Sequence, residues 1–499
     1  MSDEVDLRPA DSGTEHVAHI GRQAGRGLTW TLLGTFGTKF GSFAVGLVMA
    51  RLLSPADFGV FAVAVAAAAF AMYVNDVGII AACVQWRGKL EEIAPTASLI
   101  AAISSVMAYG AIWFCAPSFA ALAGVPDAAP VVRLLSLIIV VDGITGVQSA
   151  ALMRRFQQAK LTKANMIGWL ANTAVTLPMA FAGMGAYSFA WGQLAGTVVT
   201  GVIVYGMANL PVRFGFDREV TRSLLKFGIP WALTLGIEAV LVNADFVIVG
   251  NLLGAGALGF YMLAFNISNW VPGLVGTAVR YVALPSFSRL AEHDSDALEL
   301  GVRRSVPILV SAVLPVAVIM ATLAPQMIDV LYGEKWGPSG VVLRFLAALM
   351  VVRMLTAFAI DILASVGSTK ATTWLNAGWA VALLPALWIG THLDGIRGAA
   401  IAHSIVAVAV ALPLSVLAVR LAGVSLLPAL PKLIRPLIAA IVSAAVILLV
   451  QRIVGNSAVV QLVVAGFAGL LAYVLLVTTR DQARQLRTRV TRVRSTTGG

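Results

Sequence analysis

About fourteen apolar stretches of some twenty residues each lie between positions 28 and 478, and that repetition confines the chain to a lipid bilayer. A helix needs roughly 20 apolar residues, at about 1.5 Å of rise each, to cross about 30 Å of hydrocarbon. In that medium every backbone N–H and C=O must find a partner within the protein, which leaves helices or closed barrels. The alternating apolar pattern of barrel strands is absent, so the stretches read as helices. Their expected limits are 28–50, 58–80, 95–117, 131–153, 164–183, 186–208, 223–250, 258–283, 304–325, 340–366, 372–391, 396–420, 434–454 and 457–478. A mean hydropathy of +0.88 with only 12% charged residues fits no soluble chain of this length.

Sidedness follows from the cations. With the N-terminus in the cytoplasm, 27 of the 35 Lys and Arg residues fall on the cytoplasmic side and 6 outside; Lys39 and Arg353 lie inside spans. That asymmetry predicts both termini in the cytoplasm and an even number of spans. It also accounts for the net charge of +11 without a nucleic-acid partner, because the charge belongs to short loops facing anionic headgroups. The basic tail Arg480–Arg494 fits a lipid contact or a bound partner. Residues 1–27 form a polar leader with no cleavable signal peptide. Cys83 and Cys115 fall near opposite membrane faces and give neither a disulfide nor a metal site. The longest internal loop is expected at 285–303, which leaves no room for a soluble catalytic domain. GxxxxGK[ST] and HExxH do not occur, so nothing supports ATP hydrolysis or zinc proteolysis, and no cofactor is expected.

Arg51-Leu52-Leu53-Ser54-Pro55-Ala56-Asp57-Phe58-Gly59-Val60-Phe61 aligns with Asn251-Leu252-Leu253-Gly254-Ala255-Gly256-Ala257-Leu258-Gly259-Phe260-Tyr261, keeping Leu-Leu, Gly and the final aromatic. Each segment joins an outgoing helix to its successor. Six helices per copy is even, so the copies share one orientation about an axis along the membrane normal. The expected fold is an all-α polytopic membrane protein of about 14 transmembrane helices: two six-helix lobes in parallel pseudo-twofold repeat plus an extra C-terminal helix pair. Its divisions are a leader 1–27, an N-lobe 28–208, a linker 209–222, a C-lobe 223–420, the helix pair within 421–478 and a tail 479–499.

The segment from Ala50 to Phe61, after a first helix that starts Gly27-Leu28-Thr29-Trp30, resembles the opening of bacterial polysaccharide exporters. These are the O-antigen and exopolysaccharide flippases of the multidrug/oligosaccharidyl-lipid/polysaccharide superfamily. The resemblance extends to length, helix number and cytoplasmic termini. It implies movement of a polyprenyl-pyrophosphate-linked oligosaccharide from the inner to the outer leaflet of the bacterial plasma membrane, with membrane lipids as partners and a polymerase and chain-length proteins as possible ones. The motif itself is a turn and transfers no substrate contact.

Substrate contacts must therefore come from polar faces inside the spans, where ionisable residues are rare and face a cavity or one another. Thr31, Thr35, Lys39, Ser42 and Gly46 form one stripe of helix 1. Lys39 fits either an ion pair with Asp76, Glu238 or Asp361, or a cavity cation meeting pyrophosphate. Asn266, Asn269, Gly273, Gly276 and Arg280 share a face of helix 8, which also holds Pro272 and reads as wet or closely packed. Arg353 in helix 10 can hold phosphate in a fork or pair with Glu238 or Asp245. Lys39 and Arg353 are expected to share a central cavity. Asn75, Asp76, Asn165 and Asn172 complete the candidate sugar contacts, and Glu238, Asp245 and Asp361 the candidate ion-coupling groups. Asp142, Thr145, Gly146 and Ser149 share a face of helix 4. Trp169 and Thr176 lie on the face of Asn165 and Asn172, and His403 reads as packing.

Three classes compete: a lipid-linked oligosaccharide flippase, a drug or small-solute antiporter of the same fold, and a membrane polymerase or ligase. An antiporter for organic cations calls for an acidic cavity. An enzyme calls for a large outer loop with acid/base residues, and the expected outer loops are short.

Overall fold

A computed structural model describes residues 34, 36–75, 79–86, 88–210, 213–293 and 295–478. All regular structure among them is helical. Helix α1 covers 36–52. It is followed by α2 (Pro55–Asn75), a short α3 (Ile79–Gln85), α4 (Leu90–Leu122), α5 (Ala129–Leu135), α6 (Leu137–Arg154), α7 (Gln158–Phe181) and α8 (Ala186–Ala208). The second half holds α9 (Arg218–His293), α10 (Ser295–Tyr332), α11 (Gly337–Ser365), α12 (Thr369–Val406) and α13 (Leu412–Leu421), and then α14 (Leu430–Ile453), α15 (Ala458–Val460) and α16 (Gly466–Val477). Two of these are helix pairs joined at a kink: α9 breaks at Gly254 and α12 at Asp394 and Gly395. Leaving the short α3 aside, and with α5 continuing into α6, α12 into α13 and α15 into α16, the described residues make fourteen helical runs, and ten segments among them are long and apolar enough to cross a membrane. One set of turns lies at 53–54, 123–128, 182–185, 254, 333–336, 394–395 and 454–457, and the other set at the opposite end of the bundle.

The turn into α2 forms for local reasons. The Ser54 hydroxyl accepts the Asp57 N–H at 3.2 Å, while the Asp57 carboxylate accepts the Ser54 N–H at 2.9 Å and the Ser54 hydroxyl at 2.6 Å. That is a reciprocal cap of two orphan donors, and Pro55 follows at the first helical position, where its missing N–H is harmless.

The duplication is visible in contacts the sequence alignment could not supply. A methyl group on Gly59 would meet the Ala255 carbonyl oxygen at 1.9 Å, and one on Gly259 would meet the Pro55 carbonyl oxygen at 1.8 Å. The two copies of the motif thus pack on each other reciprocally, as surfaces related by a twofold axis must. Equivalent turns repeat the same backbone. Gly185 has φ 54° and ψ −134°, and Gly395 has φ 54° and ψ −139°. Gly124 pairs with Gly333 after α4 and α10, and Phe156 with Gly367 after α6 and α11, all with positive φ. In the first half α7 packs on α8 and α4 on α6; in the second, α11 and α12 pack on α9; between them the main contact is α2 with α9. The last pair, α14 and α16, leans on α10, where the Tyr473 hydroxyl donates to the Ser311 carbonyl at 3.1 Å.

One expectation is corrected. The loop expected at 285–303 is helical: α9 runs to His293 and α10 starts at Ser295. The helices α4 and α10 likewise overrun the apolar windows expected for them, reaching Leu90–Leu122 and Ser295–Tyr332. Hydropathy marks only the length in hydrocarbon, whereas backbone hydrogen bonding carries a helix on beyond that window through residues such as Glu299 and Leu300.

Candidate functional site

Between the halves, one end of the bundle is closed by backbone carbonyls captured by side chains. Trp336, fully buried, donates its indole N–H to the Ala50 carbonyl at 2.9 Å, and its ring meets Phe58 edge-on at 4.8 Å. The Lys335 ammonium donates to the carbonyls of Arg51 at 3.0 Å and Leu53 at 2.9 Å. Arg51 donates in turn to the carbonyls of Val330 and Leu331 at 3.3 and 3.2 Å. Asn251, the repeat partner of Arg51, donates to the Leu122 carbonyl at 2.7 Å. Helix ends leave up to four carbonyls without intrahelical partners, and here the opposite half supplies donors for them.

Inward from this closed end runs a cavity of about 600 Å³, lined by α1, α2, α7, α8, the second half of α9 and Tyr332. Thr38, Lys39, Ser42 and Gly46 of α1 face it. Of the stripe expected on helix 1, Lys39, Ser42 and Gly46 are therefore on the wall, while Thr31 and Thr35 lie outside the described residues. Asn266 and Asn269 face them from α9. Trp169 closes the side, its indole N–H donating to the Ser42 hydroxyl at 2.8 Å and its ring lying on Gly41. Trp270 sits between Phe40 and Phe43, with ring centroids 5.2 and 5.0 Å away. Its indole nitrogen is buried without a hydrogen-bond partner. Lys39 is exposed and forms no ion pair among the described residues. Among its described lining residues the cavity holds no acid.

Arg353 is placed elsewhere. It does not line the cavity; its guanidinium lies over the Phe265 ring at 5.3 Å, inside the second half. There it interacts with Asp245, Tyr261 and Glu238. Asp245, fully buried, accepts the Tyr261 hydroxyl at 3.1 Å and the Phe246 N–H at 2.9 Å. The His403 Nδ1 is 3.3 Å from the Tyr261 oxygen and 3.8 Å from Asp245. The expected shared cavity of Lys39 and Arg353 is thus not found. Spacing along a helix cannot tell a face turned to a neighbouring helix of the same half from one turned to the gap between halves. His403, read as packing, joins the cluster, and Asp361 is also buried on α11.

The remaining candidates separate. The Asn172 side-chain oxygen accepts the Thr176 hydroxyl at 2.9 Å, and both residues pack on Gly192 and Gly196 of α8. Asn165 is exposed and lines no described cavity. On α6 Thr145 and Ser149 donate to their own helix at Val141 and Thr145, and Gly146 packs on Ile80. Asp76 and the side chains of Asn75, Gly273, Gly276 and Arg280 lie outside the described residues. Sequence reasoning missed Phe43, Trp270 and Tyr332. Trp270 lies four residues after Asn266, a helical spacing that could have found it.

The pattern of a family described as "Polysaccharide biosynthesis protein" matches residues 48–340. The chain is 26% identical over 474 residues to the succinoglycan biosynthesis transport protein ExoT of Rhizobium meliloti, covering 92% of this chain and 94% of that one. It is 23% identical over 363 residues to the lipopolysaccharide biosynthesis protein WzxC of Escherichia coli, covering 70% and 72%. In structure it is similar to the lipid II flippase MurJ in an inward closed conformation, with a TM-score of 0.69, 13% identity and coverage of 89% and 97%. An inward-facing multidrug-resistance MATE transporter matches with a TM-score of 0.57, 16% identity and coverage of 76% and 94%. These two likenesses establish the fold: a multi-pass helical membrane protein.

Proposed function

Because the chain belongs to the polysaccharide biosynthesis protein family, we propose that it is a flippase that moves a lipid-linked oligosaccharide across the membrane by alternating access. Its relatives named above are transport and biosynthesis proteins, and a carrier rather than an enzyme is the corresponding role here. The observation that carries the proposal is the cavity between the halves. Among the described residues it joins the Lys39 ammonium, two amides and two indoles, and it is capped at one end.

Each part suits one part of the substrate. Lys39 meets the diphosphate as a point charge that needs no deprotonation. Asn266 and Asn269 can donate and accept toward sugar hydroxyls. Trp169 and Trp270 offer apolar faces for sugar rings, and the Trp270 N–H is available to a hydroxyl oxygen. About 600 Å³ falls in the range of ordinary ligand cavities, large enough for a headgroup of a few sugars while the isoprenoid tail stays in lipid. The described lining offers an ammonium, amides, hydroxyls and aromatic rings, a set that suits a diphosphate and sugars better than an organic cation.

The cycle then needs the carbonyl contacts of Arg51, Asn251, Lys335 and Trp336 to break as the opposite end closes. The proposed lobes are 28–208 and 223–420, rocking about the contacts of Gly59 with Ala255 and of Gly259 with Pro55. The Asp245 cluster, with Glu238 and Asp361 as its further acids, is the proposed place where an ion or proton biases the two states. The closed end is proposed to face outward in the inner membrane, with both termini cytoplasmic and a polymerase and chain-length proteins as partners beyond the substrate.

The test is polymer export in a strain lacking its own flippase. Wild type is expected to restore surface polymer, and Lys39→Ala to abolish it at unchanged membrane level. Normal polymer from Lys39→Ala would overturn the cavity assignment. Reporter fusions after Gly499 and after Asp127 are expected on opposite sides.

A further inference from the structure

A second basic cleft lies at the other end of the first half, well apart from the cavity. Its volume is about 550 Å³, and it is formed where the start of α4 meets the end of α6. Lys89, Arg154 and Arg155 line it, with Glu91 as its acid. The three cations are held differently. Arg155 is engaged: it donates to the Ala208 carbonyl at 2.5 Å and to the Glu91 carboxylate at 3.3 Å. Arg154 donates one nitrogen, Nη2, to the Gly88 carbonyl. Its other terminal nitrogen, Nη1, is buried and has no hydrogen-bond partner. Lys89 is exposed at the N-cap of α4, where no side chain caps the helix.

A guanidinium held by one nitrogen, with a second nitrogen buried and unmatched, is costly unless an anion completes it. The first turn of α4 adds N–H groups and the positive end of a helix dipole. Glu91 does not meet this demand, since its carboxylate is turned to Arg155. Beside the cleft, Phe156 has φ 55° and is 93% exposed. That turn throws an aromatic ring outward next to two arginines, the arrangement of a membrane-interface anchor. Lys160 and Lys163 follow on the next helix.

We propose that this cleft binds the phosphate of a net anionic lipid headgroup at the basic face of the protein, with Lys89 and Arg154 as its ligands and Phe156 set in the adjoining lipid. The shared chemistry is a phosphate oxyanion, carried by a bilayer phospholipid or by the diphosphate of a lipid-linked sugar. The site is separate from the cavity and does not depend on what the cavity carries.

The experiment uses the full chain in a neutral detergent. Thermal unfolding and native mass spectrometry are read with phosphatidylglycerol, with phosphatidylcholine and with inorganic pyrophosphate. Phosphatidylglycerol is expected to raise the midpoint more than phosphatidylcholine and to remain bound in the gas phase. Arg154→Gln is expected to weaken that binding roughly tenfold, the order of one charge-assisted contact. Lys89→Gln alters an exposed side chain and supplies a folded variant should Arg154→Gln misfold; it is expected to weaken binding in the same direction. Arg452→Gln, at the opposite end of the bundle, is the control and is expected to change nothing. A shift with pyrophosphate as well assigns the site to bare phosphate chemistry; a shift with phosphatidylglycerol alone assigns it to the lipid form. Equal shifts with both lipids in the wild type, or unchanged binding in Lys89→Gln and Arg154→Gln, would overturn the proposal.

Discussion

Two cations stand in the middle of apolar helices, Lys39 on α1 and Arg353 on α11, and their surroundings differ in kind. Lys39 is exposed on a cavity wall, with indoles, a hydroxyl and two amides around it and no acid among the described lining residues. Arg353 lies over an aromatic ring inside one half, within reach of Asp245, Tyr261 and Glu238. An intramembrane charge is tolerated either by water in a cavity or by partners in the fold, and the two residues illustrate one solution each. The sequence offers no way to tell them apart, because both lie mid-span on faces with small and polar neighbours. What separates them is which helix packs opposite: α9 across the gap for Lys39, and α9 within the same half for Arg353. The cation with partners belongs to the fold's own balance, and the one that forms no ion pair among the described residues is offered to a ligand.

The largest effect should come from breaking the cluster. Arg353→Met removes the cation that acts on buried Asp245, and losing one partner of a buried charged set costs about 3–5 kcal/mol. Arg353→Met is therefore expected to lower the yield of folded protein and its thermal midpoint. Adding Asp245→Asn should recover a large part of the loss, since the double variant no longer buries an unmatched charge. Additive losses would show that the two residues are not coupled and would return Arg353 to the list of substrate contacts.

Lys39→Ala should behave in the opposite way. Export should fall at least tenfold, equivalent to about 1.4 kcal/mol, while the thermal midpoint stays where it is. A fall in stability matching that of Arg353→Met would erase the contrast between the two cations.

An intermediate effect is expected at the closed end. Lys335→Ala removes two donors from the carbonyls of Arg51 and Leu53 without touching the cavity. A net hydrogen bond contributes about 0.5–1.5 kcal/mol, so the closed arrangement should lose about 1–2 kcal/mol relative to the opposite opening. Maleimide labelling of a cysteine placed at Tyr332 should become faster from that side. Unchanged labelling would mean that Lys335 only decorates a gate held by Trp336 and the Gly59 contact.

Much of the architecture was legible because hydrocarbon imposes a length and a polarity that residues report directly. The all-helical polytopic class follows from that, while the motif at Arg51–Phe61 and its copy at Asn251–Tyr261 are read from residue identities. The reciprocal packing of Gly59 on Ala255 and Gly259 on Pro55 was not legible, because an offset says that two segments are alike and not that they touch. The cavity was half legible. Lys39, Ser42, Gly46, Asn266 and Asn269 were on the expected stripes. Asn172 stood on one too, yet it is consumed by Thr176 and the glycines of α8. Polar residues announce themselves to a reader of sequence, whereas the aromatic walls of Phe43 and Trp270 look like any other lipid-facing side chains until the opposing helix is in place.

The smallest effect tests the same distinction at a turn. Ser54 and Asp57 satisfy each other and the first N–H groups of α2, so their polarity, like that of Asp245, is spent inside the fold. Ser54→Ala should cost about 0.5–2 kcal/mol of local stability, the usual loss for a helix cap. Asp57 would keep the Ser54 N–H, which places the expectation toward the lower part of that range. Amide exchange at Ala56, Asp57 and Phe58 is the sensitive readout, and those amides should exchange faster while amides of α7 and α8 do not change. Transport selectivity should be untouched, because neither side chain faces the cavity. If Ser54→Ala altered which lipid-linked sugar is moved at an unchanged protein level, polar groups with partners in the fold would also be reading substrate, and partnership would no longer sort structural charges from working ones.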